Sequence, residues 1–184
     1  MRRLCLLGGE SAGKTTLAQA LAERLGMPWV QEYGRELWLR VGGTFGPDLL
    51  EDVAREQVRR EDAAQAQARE AALRLGRPDQ AWIVCDTSPL TTLVYCLIDH
   101  GQAPAALVEL AARPYDLTVL CALDFAFVQD GARRDAGFSA HQQALTVERL
   151  RGLGRPWVEA HGPLSVRLET VLARLPGLAQ ARAA

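Results

Sequence analysis

The chain has 184 residues, 48% of them hydrophobic, and a formal net charge of −1, which suits one globular domain over residues 1–184 with a full core. No polybasic face is present, so we expect no nucleic-acid partner. The apolar run at the N-terminus is too short for a signal peptide, and no stretch is apolar for long enough to span a membrane. We therefore expect a cytoplasmic protein. Its cysteines are interpreted as buried, reduced thiols: Cys5, Cys85, Cys96 and Cys121.

The first predicted elements are a strand, a glycine-rich loop and a helix. An apolar strand covers residues 4–7, and a helix-forming run extends from Thr16 to Leu25. Between them lies Gly-Gly-Glu-Ser-Ala-Gly-Lys-Thr, which matches the P-loop pattern Gly-x4-Gly-Lys-Ser/Thr in the required strand-to-helix context. We expect the loop and the start of its helix to bind the phosphates of ATP through Gly8, Gly9, Glu10, Ser11, Ala12, Gly13, Lys14, Thr15 and Thr16.

Lys14 is the only lysine among 21 basic residues. Such a bias suggests that arginine was used wherever a positive charge sufficed, whereas a compact ammonium was retained in the phosphate loop. We expect Lys14 to reach the β- and γ-phosphates and the Thr15 hydroxyl to be a ligand of Mg2+.

The rest of the chain alternates predicted strands and helices. The predicted strands cover residues 4–7, 27–31, 81–85, 117–121 and 156–159. The predicted helices cover residues 16–25, 33–40, 47–75, 90–99, 105–112, 140–153 and 164–175, before an Ala-rich end that we expect to fray. This alternation predicts an α/β fold with a parallel sheet and right-handed connections. Ligands of such folds bind beyond the carboxyl ends of the strands.

Three predicted strands are followed by acids at that edge: Glu32, Asp86 and, a little further on, Asp124. Asp86 follows the most apolar strand, which is the Walker-B arrangement, and can hold Mg2+ opposite Thr15; the alternative is a helix cap, a role that its neighbours Thr87 and Ser88 fill equally well. Glu32 can accept a proton or a hydrogen bond from a substrate hydroxyl. The alternative for Glu32 is a surface acid paired with Arg35. Which of Glu32 and Asp86 is the base stays open.

Aromatic and basic residues complete the candidate site. Tyr33 and Trp38 can stack on a flat ring or can belong to the core. Residues 124–140 predict a lid, in which Arg133 and Arg134 can close on the phosphates or can be exposed charges. The sequence itself does not rank the two arginines.

Four segments carry a resemblance to a known family. They are the P-loop with Thr16 and Leu17, then Glu32-Tyr33-Gly34-Arg35, then Asp86-Thr87 followed by Leu90-Thr91-Thr92, and finally Phe127-Val128-Gln129-Asp130-Gly131-x-Arg133. In their order and approximate spacing, from Leu4 to about Leu175, these segments resemble the ribosylnicotinamide kinase domain of the bacterial NAD-biosynthesis regulator family.

The resemblance implies a nucleoside-kinase-like P-loop fold with sheet order 2-3-1-4-5. It also implies that ATP phosphorylates the 5′-hydroxyl of nicotinamide riboside to give nicotinamide mononucleotide. The fuller proteins of that family carry a DNA-binding segment and an adenylyltransferase domain before the kinase, and we expect this chain to lack both activities. By similarity, Asp86 lies beside the reacting hydroxyl and the metal, and Arg133 lies on the lid. The acceptor site is then expected to include Glu32, Tyr33, Arg35, Trp38, Asp86, Gln129 and Asp130.

Two other functions fit the same motifs. The first is a P-loop kinase for another nucleoside or small hydroxylated acceptor, which would differ mainly between Glu32 and Trp38. The second is a regulatory module that binds ATP and barely turns it over. A GTPase is disfavoured, because its guanine-reading Asn-Lys-x-Asp needs a second lysine that this chain lacks.

Overall fold

The computed structural model describes residues 1–175 and shows five parallel strands in one sheet, in the order β2-β3-β1-β4-β5. The strands are β1 Arg2–Leu7, β2 Trp29–Val30, β3 Trp82–Asp86, β4 Leu117–Cys121 and β5 Val158–Ala160. The helices are α1 Lys14–Leu25, α2 Tyr33–Val41, α3 Pro47–Arg74, α4 Pro89–His100, α5 Ala105–Ala111, α6 Ala136–Gly152 and α7 Leu164–Leu172. The α/β fold and the strand order expected from the sequence are confirmed.

The two central strands bring the P-loop and Asp86 together. All five residues of β3 are buried, as are the last four of β1, because helices cover the sheet where these apolar strands lie. In the parallel register, Leu6 pairs with Asp86. Since the P-loop follows Leu7 directly, Asp86 lies at the base of that loop.

Strand β1 begins at Arg2, two residues before the predicted start. Arg2 and Arg3 pair with Trp82 and Ile83 of β3, and the amide of Arg3 donates to the Asp116 carboxylate at 2.7 Å. The prediction was based on apolar runs, so it left out Arg2 and Arg3, whose side chains are charged. Their backbone nevertheless extends the sheet.

Helix α6 begins at Ala136, four residues earlier than predicted, and Gly137 is helical rather than part of the loop. The Asp135 side chain caps the helix by accepting from the amide of Phe138 at 2.8 Å. This cap outweighs the low helix propensity of Gly137. The lid, defined here as residues 122–135 between β4 and α6, is therefore shorter than the predicted 124–140.

Near the C-terminus, the predicted helix is present but ends earlier than expected. Helix α7 ends at Leu172 rather than at residue 175, and the Ala-rich end that we expected to fray lies outside the described residues. The four cysteines are buried and form no disulfide. Over residues 1–175, no helix combines the length and the apolar character needed to cross a bilayer.

Candidate active site

The P-loop wraps tightly before α1. Ser11 and Gly13 have φ values of 62° and 77°, and a Cβ on Gly9 would lie 2.4 Å from the carbonyl oxygen of Ser139. No side chain caps the start of α1 at Lys14. The first amides of the helix are therefore offered to a ligand, together with the positive end of the helix dipole.

The Lys14 ammonium lies over the loop. Its Nζ donates to the carbonyl oxygens of Gly8 at 3.0 Å and Gly9 at 2.8 Å. These two contacts hold a positive charge at the mouth of the loop, where it would meet phosphate oxygens.

Helix α6 supports the loop from one side. Gln143 Oε1 accepts from the amide of Gly9, and Gln142 Oε1 accepts from the amide of Glu10, both at 2.8 Å. The hydroxyl of Ser139 donates to the carbonyl oxygen of Glu10 at 2.6 Å. We did not predict this role for α6. The signal in the sequence is a set of polar residues at i, i+3 and i+4 on one helix face.

Arg167 supports the loop from the other side, and it too was missed. Its guanidinium is buried and donates to the carbonyl oxygens of Ala12 at 2.7 Å, Ala122 at 3.0 Å and Gly162 at 2.8 Å. It also forms an ion pair with Asp124. Asp124 thus serves the scaffold and does not line the cavity, unlike the role suggested by its position after a strand. The missed signal was an arginine on the apolar face of the last helix.

One cavity opens beside the loop at the carboxyl edge of the sheet. Its wall contains residues from the P-loop, the Glu32 segment, the lid, α3, α4 and α6, but not Asp86: Glu10, Ser11, Ala12, Gly13, Lys14, Thr15, Thr16, Glu32, Gly34, Arg35, Trp38, Gly43, Thr44, Phe45, Leu50, Val53, Thr91, Thr92, Tyr95, Asp99, Ala132, Arg133, Arg134 and Gln142. The structure therefore brings the P-loop, the Glu32 segment and the lid arginines around one space.

Glu32 is the residue just before α2, and it faces this cavity. Burial raises the pKa of its carboxyl to about 7, although the positive charge of Lys14 opposes the shift. A carboxyl with this pKa is half ionised near neutral pH, so it is suited to take a proton from a hydroxyl.

Asp86 lies beneath the cavity wall, with a side chain that is 1% exposed. Thr15 donates a hydrogen bond to its carboxylate, and burial raises its pKa. Within residues 1–175, its Oδ1 has no hydrogen-bond partner. The alternative role as a helix cap is excluded, because Ser88 caps α4 by accepting from the amide of Leu90 at 3.2 Å.

The pair Thr15 and Asp86 fits a hard divalent cation. Both offer oxygen ligands, and no donor in the described part of the chain reaches the buried Oδ1 of Asp86. The next residue, Thr87, has φ 77°, a strained value for a β-branched side chain. Strain of this kind clusters at functional sites.

The aromatic residues are placed differently from the expectation. Trp38 lines the cavity, and its Nε1 donates to the carbonyl oxygen of Gly43 at 3.0 Å. Tyr33 lies outside the cavity, because its ring packs against the guanidinium of Arg60 at 4.4 Å on the α3 side. The aromatic face expected of Tyr33 is instead offered by Trp38 and by Tyr95, which the sequence analysis did not single out.

Arg35 lines the cavity and forms its ion pair with Asp130 of the lid rather than with Glu32. Gln129 donates through Nε2 to the carbonyl oxygens of Arg133 at 2.8 Å and Arg134 at 2.9 Å. Neither Gln129 nor Asp130 is part of the cavity wall. In this structure the two residues organise the lid and its contact with α2.

Residues 3–167 match a family model described as an AAA domain. Similar solved structures include NadR protein in complex with NR, at 20% identity and a TM-score of 0.67 over 95% of this chain and 51% of that chain. NadR protein in complex with NAD and AMP-PNP is 16% identical, with a TM-score of 0.65 over 95% of this chain and 49% of that chain. Thymidylate kinase from Ehrlichia chaffeensis is 17% identical, with a TM-score of 0.60 over 92% of this chain and 96% of that chain.

The sequence motifs predicted a resemblance to the ribosylnicotinamide kinase domain of the bacterial NAD-biosynthesis regulator family, and the likeness to NadR confirms it. This chain spans about half the length of the NadR chains. At such identities the likeness establishes the fold, which is that of P-loop kinases. Because the family model covers most of the sequence, the chain belongs to this AAA-domain family and has a P-loop kinase-like fold.

Proposed function

We propose that this protein is an ATP-dependent kinase that phosphorylates the 5′-hydroxyl of nicotinamide riboside to give nicotinamide mononucleotide. One observation carries the proposal: a single cavity joins the phosphate loop at Lys14 to the carboxylate of Glu32. A hydroxyl bound at Glu32 therefore lies beside phosphates bound at the loop. This is the arrangement that phosphoryl transfer needs.

The donor side is built from the P-loop and the lid. The amides at the start of α1 and the Lys14 ammonium bind the β- and γ-phosphates, and Arg133 reaches them from the cavity wall. Thr15 and Asp86 would hold Mg2+, which neutralises the charge that develops on the transferred group. These groups act mainly by positioning the phosphates and stabilising their negative charge.

The other face of the loop offers a place for the nucleotide base. Phe125 is 47% exposed, and its ring lies 3.6 Å from where a Cβ on Gly13 would be. Arg167 packs against this ring at 4.4 Å and orients it. A flat base can stack on the exposed part, so that donor and acceptor enter from different sides.

The acceptor side supports a cationic ring. Arg35 and Arg134 are neutralised by ion pairs, and Lys14 and Arg133 face the bound phosphates in this proposal. Glu10 and the ionised form of Glu32 contribute negative charge to the rest of the wall. Trp38 and Tyr95 add aromatic faces to the same wall. Negative charge and aromatic faces favour a flat, positively charged pyridinium ring over a neutral base. Glu32 holds the hydroxyl and accepts its proton as the hydroxyl oxygen bonds to the γ-phosphorus of ATP and the bond from that phosphorus to the leaving ADP breaks.

The experiment is acceptor-dependent ADP release, with nicotinamide riboside, adenosine, cytidine, uridine and thymidine offered in turn. We expect nicotinamide riboside to have the highest kcat/KM, by roughly 5- to 150-fold, since each mismatched polar or charged contact costs about 1–3 kcal/mol. Equal use of cytidine or uridine would identify a broader nucleoside kinase. The regulatory module would be favoured by two results together: tight binding of AMP-PNP, and no release of ADP from ATP with any acceptor.

A further inference from the structure

Arg134 is held on several sides. Its guanidinium makes two hydrogen bonds to the carboxylate of Asp99 on α4, at 2.6 Å and 2.5 Å. It also lies 4.1 Å from the centre of the Phe138 ring and 5.8 Å from that of Tyr95. A planar guanidinium can make two parallel hydrogen bonds to a carboxylate and can stack on an aromatic ring, whereas a lysine ammonium can do neither. The Arg134 side chain is therefore committed to contacts inside the protein.

The backbone of Arg134 is attached to the phosphate loop. Its amide donates to Glu10 Oε2 at 2.8 Å, and the hydroxyl of Tyr95 donates to Glu10 Oε1 at 2.7 Å. Gln142 in turn hydrogen-bonds to Tyr95. Glu10 is only 8% exposed, so both oxygens of a buried carboxylate in the P-loop are used to join α4 and the lid. Leaving either oxygen unbonded there would be costly.

Arg133 is held less firmly. Its Nη1 donates to the carbonyl oxygen of Val128 at 2.7 Å, and its Nε lies 3.4 Å from the Asp130 carboxylate. Both partners belong to the lid itself. Its side chain lines the cavity without any ion pair to α4 or to the P-loop among the described residues.

We infer that Arg134 is a positioning residue which, with Glu10 and Asp99, forms a latch that docks the lid on the phosphate loop, and that Arg133, whose side-chain partners lie within the lid, is the arginine that engages the phosphates. The assignment of Arg133 rests on the proposed kinase function. The latch itself rests only on the contacts of Arg134 with Glu10 and Asp99.

The first test is amide hydrogen exchange of residues 128–134 in the nucleotide-free protein. Asp99→Asn and Arg134→Ala should each raise exchange in this segment by about tenfold, the effect of losing a bidentate charged contact that is partly open to solvent. The matched control is Glu51→Gln, which removes the exposed Glu51–Arg55 pair on α3 and should leave lid exchange unchanged. If lid exchange stays at the wild-type rate in both latch variants, there is no latch.

The second test separates the two arginines kinetically. With Arg134→Ala, the KM for ATP should rise by about tenfold while kcat stays within about twofold, because saturating nucleotide docks the lid again. Arg133→Ala should instead lower kcat. An equal loss of kcat in both variants would overturn this division of roles. If no acceptor gives ADP release at all, the proposed function fails, whereas the exchange result still decides the latch.

Discussion

Two carboxyls in this protein, Glu32 and Glu61, both have a pKa raised to about 7 by burial, yet their surroundings differ. Glu61 on α3 is fully buried and accepts hydrogen bonds from the Tyr115 hydroxyl at 2.8 Å and 3.0 Å. Its carboxylate also lies 3.0 Å from Arg113 Nε. Glu32 faces the cavity, and within residues 1–175 no side chain forms an ion pair with it. The pKa of Glu61 is thus raised inside a closed network of partners, whereas that of Glu32 is raised beside a cavity.

The positions of the two acids explain the difference. Glu61 lies near the amino ends of β1 and β4, where Arg113 and Arg3 also pair with Asp62 and close the network. Glu32 lies at the carboxyl edge, where a parallel sheet leaves a crevice and the P-loop presents free amides. We therefore expect changes at the Glu32 edge to affect activity and changes at Glu61 to affect stability.

The largest expected effect is that of Lys14→Ala. Losing this preorganised contact should lower kcat/KM by on the order of 10²–10³-fold, because the charge at the mouth of the loop stabilises the transferred phosphate. Thermal unfolding should be nearly unchanged, since within residues 1–175 the Lys14 ammonium makes its hydrogen bonds to loop carbonyls. The control is Arg59→Ala, at an exposed site on α3. Wild-type turnover by a folded Lys14→Ala protein would refute the P-loop assignment.

Glu61→Ala should show the opposite behaviour. It leaves Arg113 and the Tyr115 hydroxyl without their buried partner, so the free energy of unfolding should fall by about 2–3 kcal/mol. Urea unfolding measures this loss. The kcat/KM of the folded variant should remain within about twofold of wild type. Activity that falls much further in well-folded protein would show that the two regions are not independent.

Glu32→Gln should change the pH dependence. With a folded-state pKa of about 7, the wild-type kcat/KM should rise as the pH increases through about 7 and the carboxylate forms. In the variant, kcat/KM should no longer rise with pH near 7, and its value should be about 10- to 10²-fold lower than that of the wild type. Because the folded-state pKa is above the unfolded value, wild-type stability contributed by Glu32 is lost as the pH rises from about 4.5 towards 7. The variant should escape that loss, and identical pH profiles for both proteins would exclude Glu32 as the base.

The smallest expected effect is that of Tyr33→Phe. The Tyr33 ring packs on Arg60, away from the cavity, and the substitution keeps that ring. We expect kcat/KM for nicotinamide riboside to change by less than about twofold. Trp38→Leu, which removes an aromatic face from the cavity wall, serves as the comparison and should raise KM. A larger effect from Tyr33→Phe than from Trp38→Leu would indicate that the acceptor ring stacks on Tyr33 and not on Trp38.

The sequence by itself determined the elements whose signals are local. The glycine spacing before Lys14 predicted the P-loop, and the apolar run before Asp86 predicted a strand, because backbone geometry and hydrophobic burial at these positions depend on a few adjacent residues. The strand order came from the family resemblance. The early start of β1 was missed, because the charged side chains of Arg2 and Arg3 do not indicate that their backbone pairs with β3. The early start of α6 was missed, because Gly137 favours a loop and the cap by Asp135 was not recognised.

Only the tertiary structure decided which polar groups find partners. It joined Asp124 to Arg167, 43 residues apart, and Arg134 to Asp99, 35 residues apart. It also turned Tyr33 towards Arg60 and left Glu32 open to the cavity. Hydrogen bonds and ion pairs of this kind depend on the packing of distant elements, so no local pattern in the sequence distinguishes the acid that is already paired from the acid that is left for a substrate.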